Sequence, residues 1–290
     1  MKRLTRVFFT LLAVIIACAC TFTIVGCNKE DIRRVRLNIA IYNYDEDNPA
    51  VENYTMDIDL YGHFAPKTVD AIEKYVKGKY YNDTVFYKLD SYSSQIMVGD
   101  LKFDSAKVDT LGFYLNAEKP KLDGEFTKGG VVSNLKVKKG SIGLWRSWYA
   151  QDGSYTYANA TDSGRATWFI PTSSISAYDD NFCVFAQFDV NASNNKKTLT
   201  ALNNAMSSEN YAEYEIYYTG DVGEDNDYSK LTFNCVLEEE FDEDAIENLF
   251  TPEDDQLMSY AHYTVNVPVY TEGTETFIAA KIVSAKIVED

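Results

Sequence analysis

The sequence predicts a mainly β fold with few helices. Three observations predict it. Tyr54, Met56, Ile58 and Leu60 alternate with Thr55, Asp57 and Asp59, the period of two that sets apolar residues on one face of a half-buried strand. Leu37, Ile39 and Ile41 alternate in the same way. Aromatic residues make up 14% of the 290-residue chain, enough to fill a sizeable core, while the stretches with helical spacing are short.

The N-terminus stands apart from that core. Lys2, Arg3 and Arg6 precede an apolar run from Val7 to Val25, a secretory signal pattern. It ends Ile24-Val25-Gly26-Cys27, which resembles a bacterial lipobox; there the cysteine is lipidated and becomes the first mature residue. An uncleaved transmembrane anchor is the alternative, since the run approaches spanning length. Either way the folded part is expected outside the cytoplasm on a membrane tether. A diacylated Cys27 supplies the two chains that stable anchoring needs. Loss of residues 1–26 removes three basic residues and no acidic ones, moving the formal charge from −17 to −20. That charge argues against nucleic acid and against docking on anionic lipid. Residues 27–36 read as a charged tether and residues 37–290 as one domain.

After the two alternating strands, Pro66 fits the first turn of a helix, where its missing N–H costs nothing. Val69, Ile72, Tyr75 and Val76 make one apolar stripe. Asp70 and Glu73 come early, Lys74 and Lys77 late, which complements the helix dipole, and Gly78 is a natural stop. In the next strand Val85, Tyr87 and Leu89 share one face and Phe86 and Lys88 the other, so a ring and a cation are expected side by side. Further on, Leu199 to Met206 reads as a helix and Tyr211 to Tyr218 as a strand. Glu238 to Asp255 reads as an amphipathic helix with an acidic face. Cys183 and Cys235 allow either one disulfide or two buried thiols; Cys183 lies in the apolar run Phe182-Cys183-Val184-Phe185.

The string Ala65-Pro66-Lys67-Thr68-Val69, then Gly78-Lys79-Tyr80-Tyr81, Phe86-Tyr87-Lys88 and Val98-Gly99-Asp100 resembles the cyclophilins, peptidyl-prolyl isomerases with A-P-K-T-V, G-x-Y, F-H-R and G-G-D in this order. The resemblance continues downstream. Leu122-Asp123-Gly124-Glu125-Phe126 is similar to I-x-G-E-F, and Gly140 to Arg146 to G-x-I-S-M-A-R. Ala166-Thr167-Trp168-Phe169-Ile170 is similar to S-Q-F-F-I, Asp179 to Phe185 to L-D-G-x-x-x-V-F, and Thr276 to Val288 to the closing strand. It implies a closed antiparallel β-barrel with two short flanking helices. Insertions then fall at about 101–121, 147–163 and 191–266. Trp148, Tyr149, Tyr155 and Tyr157 make the second of these a candidate cover or extension of the peptide groove.

The same resemblance implies a site. Isomerisation breaks no covalent bond; its barrier is lost amide resonance, roughly 18–20 kcal/mol. An apolar pocket takes the proline ring, and a donor favours the twisted amide over the planar one. Carried over residue by residue, Lys88 stands for the catalytic arginine, Tyr87 for the histidine and Met97 for the glutamine. Gln95 stands for the pocket methionine, Ser94 for a phenylalanine, Thr167 for a glutamine and Tyr178 for the leucine. Ala177 falls at the tryptophan and Phe182 at the histidine. Phe86 and Phe169 are retained, Trp168 stands for an aromatic, and Arg146 is either a further cation or a rim residue. The expected catalytic residue is Lys88, and the substrate-binding set is Phe86, Gln95, Met97, Arg146, Thr167, Phe169 and Tyr178.

Other chemistries lack their residues. His63 and His262 are the only histidines and no C-x-x-C occurs, so a zinc site is not expected. No G-x-S-x-G, Walker or dinucleotide motif is present. Asp221, Asp225 and Asp227 lack EF-hand spacing and read as a solvated loop. The expectation is a weakened prolyl isomerase without cofactor or metal, acting on proline-containing or unfolded exported chains. The alternatives are a non-catalytic peptide- or protein-binding module and a structural protein whose groove is filled by its own insertion.

Overall fold

In the computed structural model, the described residues are 31–43, 50–89, 94–107, 111–127, 130–131, 135–146, 149–151, 154–156, 164–207, 211–219, 232–237, 262–272 and 275–289. The signal segment, Cys27, Trp148, Tyr157, the Asp221–Asp227 cluster and the expected acidic helix lie outside them.

The long hairpin β1 (Ile32–Asn43) and β2 (Ala50–Tyr61) opens the fold. Its alternation works as expected: Val35, Leu37, Ile39 and Ile41 of β1 and Met56, Ile58 and Leu60 of β2 point into one core. The strand begins at Ile32, so the expected tether extends too far. The charges that suggested a tether are cross-strand partners. Arg34 lies opposite Asp59 and Arg36 opposite Asp57. Arg36 holds Asp57 with two hydrogen bonds, 2.7 and 2.9 Å.

Helix α1 (Pro66–Lys77) follows and buries the predicted stripe of Val69, Ile72, Tyr75 and Val76. Each such side chain contributes roughly 1.5–3 kcal/mol on burial. Arg33 ties the helix to β1 through Asp70 and Glu73, both at 2.6 Å. At the C-terminus Gly78 has φ −79°, and the left-handed residue is Lys79 at φ 57°.

The remaining barrel strands are β3 (Gln95–Val98), β6 (Ser141–Leu144), β9 (Trp168–Pro171), β10 (Cys183–Gln187) and β15 (Ala280–Val288). They form one seven-stranded sheet in the order β15-β1-β2-β10-β6-β9-β3. Residues 84–88 close it. Tyr87 and Met97 exchange backbone hydrogen bonds on the β3 side, at 3.1 and 2.8 Å. On the β15 side Phe86 N–H donates to Ala280 O and Ile282 N–H to Thr84 O, at 3.0 and 2.8 Å. The result is the closed antiparallel barrel. Helix α2 (Ser193–Met206) packs on it through Leu199, Leu202, Ala205 and Met206 and begins six residues before the predicted Leu199. Asn195 anchors it, exchanging hydrogen bonds with the Asp57 backbone at 2.9 and 3.1 Å.

A second layer covers part of the barrel's outer face. The first insertion supplies it with a hairpin of β4 (Leu101–Phe103) and β5 (Phe113–Leu115), while the second insertion forms a hairpin of its own, β7 (Tyr149–Gln151) with β8 (Ser154–Thr156). The insertions also supply a four-stranded sheet of β11 (Tyr211–Thr219), β12 (Thr232–Leu237), β13 (His262–Glu272) and β14 (Glu275–Ile278). Phe113, Tyr214, Cys235, Val267 and Val269 from this layer join Val85, Tyr87, Met97 and Phe169 of the barrel in a second buried cluster. The expected closing strand Thr276–Val288 is therefore two strands. β14 belongs to the added sheet, and only β15 completes the barrel. Cys183 lies in the barrel core and Cys235 in the second cluster, and neither is joined in a disulfide.

Candidate functional site

The site is built on alternation across four neighbouring segments. On β3 and β9, Ile96, Val98, Trp168 and Ile170 face the barrel core. Their neighbours Met97 and Phe169 face outward and lie directly opposite each other. Tyr87 pairs with Met97 on one side, and Gly143 of β6 pairs with Phe169 on the other. Tyr87, Met97, Phe169 and Gly143 thus make one row across the outer wall. The Phe169 ring leans over Gly143, so that a Cβ there would collide with it.

Three more aromatics stand on that row. Trp145 meets Phe169 edge-on, centroids 6.0 Å apart, and stacks on Phe182 at 5.4 Å. Tyr178 meets Phe169 edge-on at 5.7 Å and lies 4.5 Å from Phe182. Phe169 is wholly buried and Phe182 nearly so, while Trp145 and Tyr178 are half-buried. The polar groups lie at the ends. The Tyr87 hydroxyl lies 2.8 and 2.9 Å from the two Asp100 carboxylate oxygens. Enclosure pushes the Asp100 carboxyl above its ordinary range, and hydrogen bonds from Tyr87 and Thr167 hold it part of the way down. Gln95 Nε2 donates to the Tyr178 hydroxyl at 3.2 Å. Lys88 follows Tyr87 in sequence, is half-buried, and makes no ion pair or side-chain hydrogen bond among the described residues.

Of the predicted residues, the structure brings together Gln95, Met97, Phe169 and Tyr178, with Thr167 reached through Asp100. Lys88 is next to Tyr87 in the chain, and no contact among the described residues joins its side chain to this group. Two placements correct the sequence reading. Phe86 is wholly buried in the barrel core, not on the groove. The alternation of Phe86 with Tyr87 is right, but both faces of this segment are covered, so the pattern does not tell which is inner. Arg146 is not a rim residue. It is 3% exposed, its Nε donates to Asn181 O at 2.7 Å, and its guanidinium lies over Phe126 and Phe182 at 5.0 and 5.3 Å. Phe182 belongs to the aromatic group, as the carry-over of the histidine position suggests, whereas Ala177 is exposed.

Trp145 is the member of this aromatic group that the sequence reading does not select. Its signal was present: Leu144-Trp145-Arg146 puts an indole where the similar M-A-R motif has alanine. Among the described side chains, the aromatics covering Phe169 come from the end of β6, the turn Ser176–Tyr178 and Phe182; the expected cover from the second insertion falls on side chains outside the described set.

The model of the family described as cyclophilin type peptidyl-prolyl cis-trans isomerase/CLD matches residues 50–217. A solved cyclophilin type peptidyl-prolyl cis-trans isomerase of Cryptosporidium parvum aligns at 18% identity and a TM-score of 0.39, covering 61% of this chain and 88% of its own. The same isomerase solved in the presence of the dipeptide Ala-Pro aligns at 16% identity and a TM-score of 0.33, covering 56% and 84%. No curated protein matches the chain. The family match spans more than half of the sequence and takes in the whole aromatic row, so the chain belongs to the cyclophilin-type peptidyl-prolyl cis-trans isomerases.

Proposed function

We propose that this chain is a prolyl isomerase of reduced activity. It is held outside the cytoplasm by a lipid on Cys27 and acts on proline-containing segments of exported proteins. The observation that carries the reading is Lys88: a half-buried cation that follows Tyr87 directly in the chain, at the edge of the segment that supplies the Tyr87–Met97–Phe169 row, and uncommitted to any ion pair among the described residues. Its ammonium can donate to an amide nitrogen as that nitrogen loses planarity, which is the interaction the transition state gains. Two substitutions reduce the rate. Lysine lacks the planar fork of donors that arginine presents. Met97, where the family has glutamine, supplies no second donor. Removal of one such donor typically lowers a rate about 100- to 1000-fold. An isomerisation assay on wild type, Lys88→Ala and Lys88→Arg tests the mechanism. Lys88→Ala is expected at the uncatalysed background and Lys88→Arg above wild type. Equal rates for all three would remove Lys88 from the reaction. Cys27→Ala is expected to move the protein from the membrane to the soluble fraction.

The second reading, a non-catalytic proline-peptide or protein-binding module, draws on the cover over Phe169. The ring expected to receive proline is packed against Trp145, Tyr178 and Phe182. Peptide binding without any rate above background would favour it.

A further inference from the structure

We infer that Trp145 and Tyr178 form an aromatic lid that shuts the pocket over Phe169, with the Tyr178 hydroxyl to Gln95 hydrogen bond as its latch. The inference rests on reading Phe169 as the floor that receives the proline ring.

Four features carry it. First, the group has two layers. Phe169 and Phe182 are buried beneath, at 0% and 3% exposure, while Trp145 and Tyr178, packed against them, are only half-buried. Fully packed core rings have no wet face; rings that close a pocket do. Second, Phe169 has no room to turn away. Gly143 lies under its ring, and the backbone there tolerates no side chain. Whatever uncovers Phe169 must therefore be the upper layer. Third, the main chain under both upper rings is fixed by hydrogen bonds. Tyr178 N–H is tied to Ile175 O at 3.0 Å and Trp145 N–H to Thr167 O at 2.8 Å. Opening is then a side-chain rotation, and the turn Ser176–Tyr178 buries none of its own residues to resist it. Fourth, Tyr178 is held down by a specific contact. Gln95 Nε2, from β3 beside Met97, reaches its hydroxyl at 3.2 Å.

A lid of this kind sets specificity as well as affinity. A ligand must supply enough apolar surface to replace the Trp145 and Tyr178 contacts on Phe169, so a lone proline competes poorly. A proline flanked by an aromatic or large aliphatic residue competes better, because the flanking side chain can pack on the displaced rings. The apparent affinity falls by the fraction of molecules with the lid open. If that fraction is roughly 1–10%, a protein without the lid binds about 10- to 100-fold more tightly.

The test is titration of the tetrapeptide Ala-Ala-Pro-Phe into the full mature chain by calorimetry, for wild type, Trp145→Ala and Tyr178→Phe, with far-UV circular dichroism to confirm the fold. Trp145→Ala is expected to bind about 10- to 100-fold more tightly than wild type. Tyr178→Phe keeps the ring, removes the hydroxyl that Gln95 holds, and is expected to gain about 2- to 10-fold. It also decides the matter should Trp145→Ala fail to fold. Unchanged or weaker binding in a folded Tyr178→Phe would overturn the inference, as would a folded Trp145→Ala that binds no better than wild type. The isomerisation assay separates this outcome from the functional reading. Tighter binding with no turnover in any variant keeps the lid and removes the isomerase. Turnover in wild type with no gain in either variant does the reverse.

Discussion

Replacing Glu125 tests how the barrel holds its first helix. Helix α1 has no side-chain cap of its own: Ala65 stands at the N-cap and Pro66 at the next position. Its orphan donors are met from elsewhere. Ala65 N–H donates to Tyr61 O at 3.2 Å, and Pro66 has no N–H. Lys67 N–H donates to Glu125 Oε1 at 3.0 Å and Thr68 N–H to Glu125 Oε2 at 2.7 Å. A buried carboxylate from 57 residues away thus does the work of a local cap and places negative charge at the positive end of the helix. Glu125→Ala strands the Thr68 N–H, which no water reaches because Thr68 is 0% exposed. One buried orphan donor costs about 1–3 kcal/mol. Loss of the charge–dipole contact adds about 0.3–1 kcal/mol. Lys67 is exposed, so water can replace its partner at little further loss. The expected destabilisation is about 1–4 kcal/mol for alanine. It is about 1–2 kcal/mol for glutamine, which keeps one acceptor oxygen. Urea unfolding measures it as a lower midpoint at unchanged slope. A Glu125→Ala loss below about 0.5 kcal/mol, or a glutamine variant less stable than the alanine one, would refute the capping argument.

Three further outcomes are expected. Burial pushes the Cys183 thiol up to about 12, so native protein treated with a thiol reagent at neutral pH should leave Cys183 unmodified until urea is added; rapid labelling of the native state would contradict that placement. Arg36 holds Asp57 below its ordinary 3.8, and Lys77 with Arg33 holds Glu73 below its ordinary 4.5. Their contribution is present above those values and is lost as pH falls through the lower folded pKa, whereas the raised Asp100 is penalised as pH rises past 3.8. Wild type should therefore lose stability below about pH 4, and Asp100→Asn should be less destabilising at pH 7 than at pH 3 in urea unfolding; the opposite order would reverse the assignment. Gly143→Ala should cost about 1–3 kcal/mol and alter the near-UV aromatic spectrum, because its Cβ drives the Phe169 ring into Trp145 and Phe182.

The barrel was legible where one strand face was wet. β1, β2 and α1 alternate apolar with charged residues, and their stripes were read correctly from period alone. Legibility failed where both faces are covered. In residues 84–88 every side chain from Thr84 to Tyr87 is buried, Phe86 against the barrel core and Val85 and Tyr87 against the added layer. No pattern in five such residues names the inner face. The charged start of β1 misled for another reason: arginines opposite aspartates on a neighbouring strand look, in one dimension, like a solvated tether. β14 was merged with β15 because nothing between them but Ala279 marks the passage from one sheet to the other.

The same alternation explains how the fold persists while the site departs from the family. On β3, Ile96 and Val98 are apolar and face the core, where any loss of volume would be felt throughout the barrel. Gln95 and Met97, one step out of phase, exchange the family's methionine and glutamine without touching that core. On β9, Trp168 and Ile170 fill the interior while Phe169 meets Trp145 outside. Each strand thus carries two independent sets of residues, one read by stability and one by the ligand. Resemblance over the first set establishes the barrel. Only the second set bears on catalysis, and under the proposed reading Lys88, Met97 and Trp145 would each alter a different requirement: the donor, its partner and access to the floor.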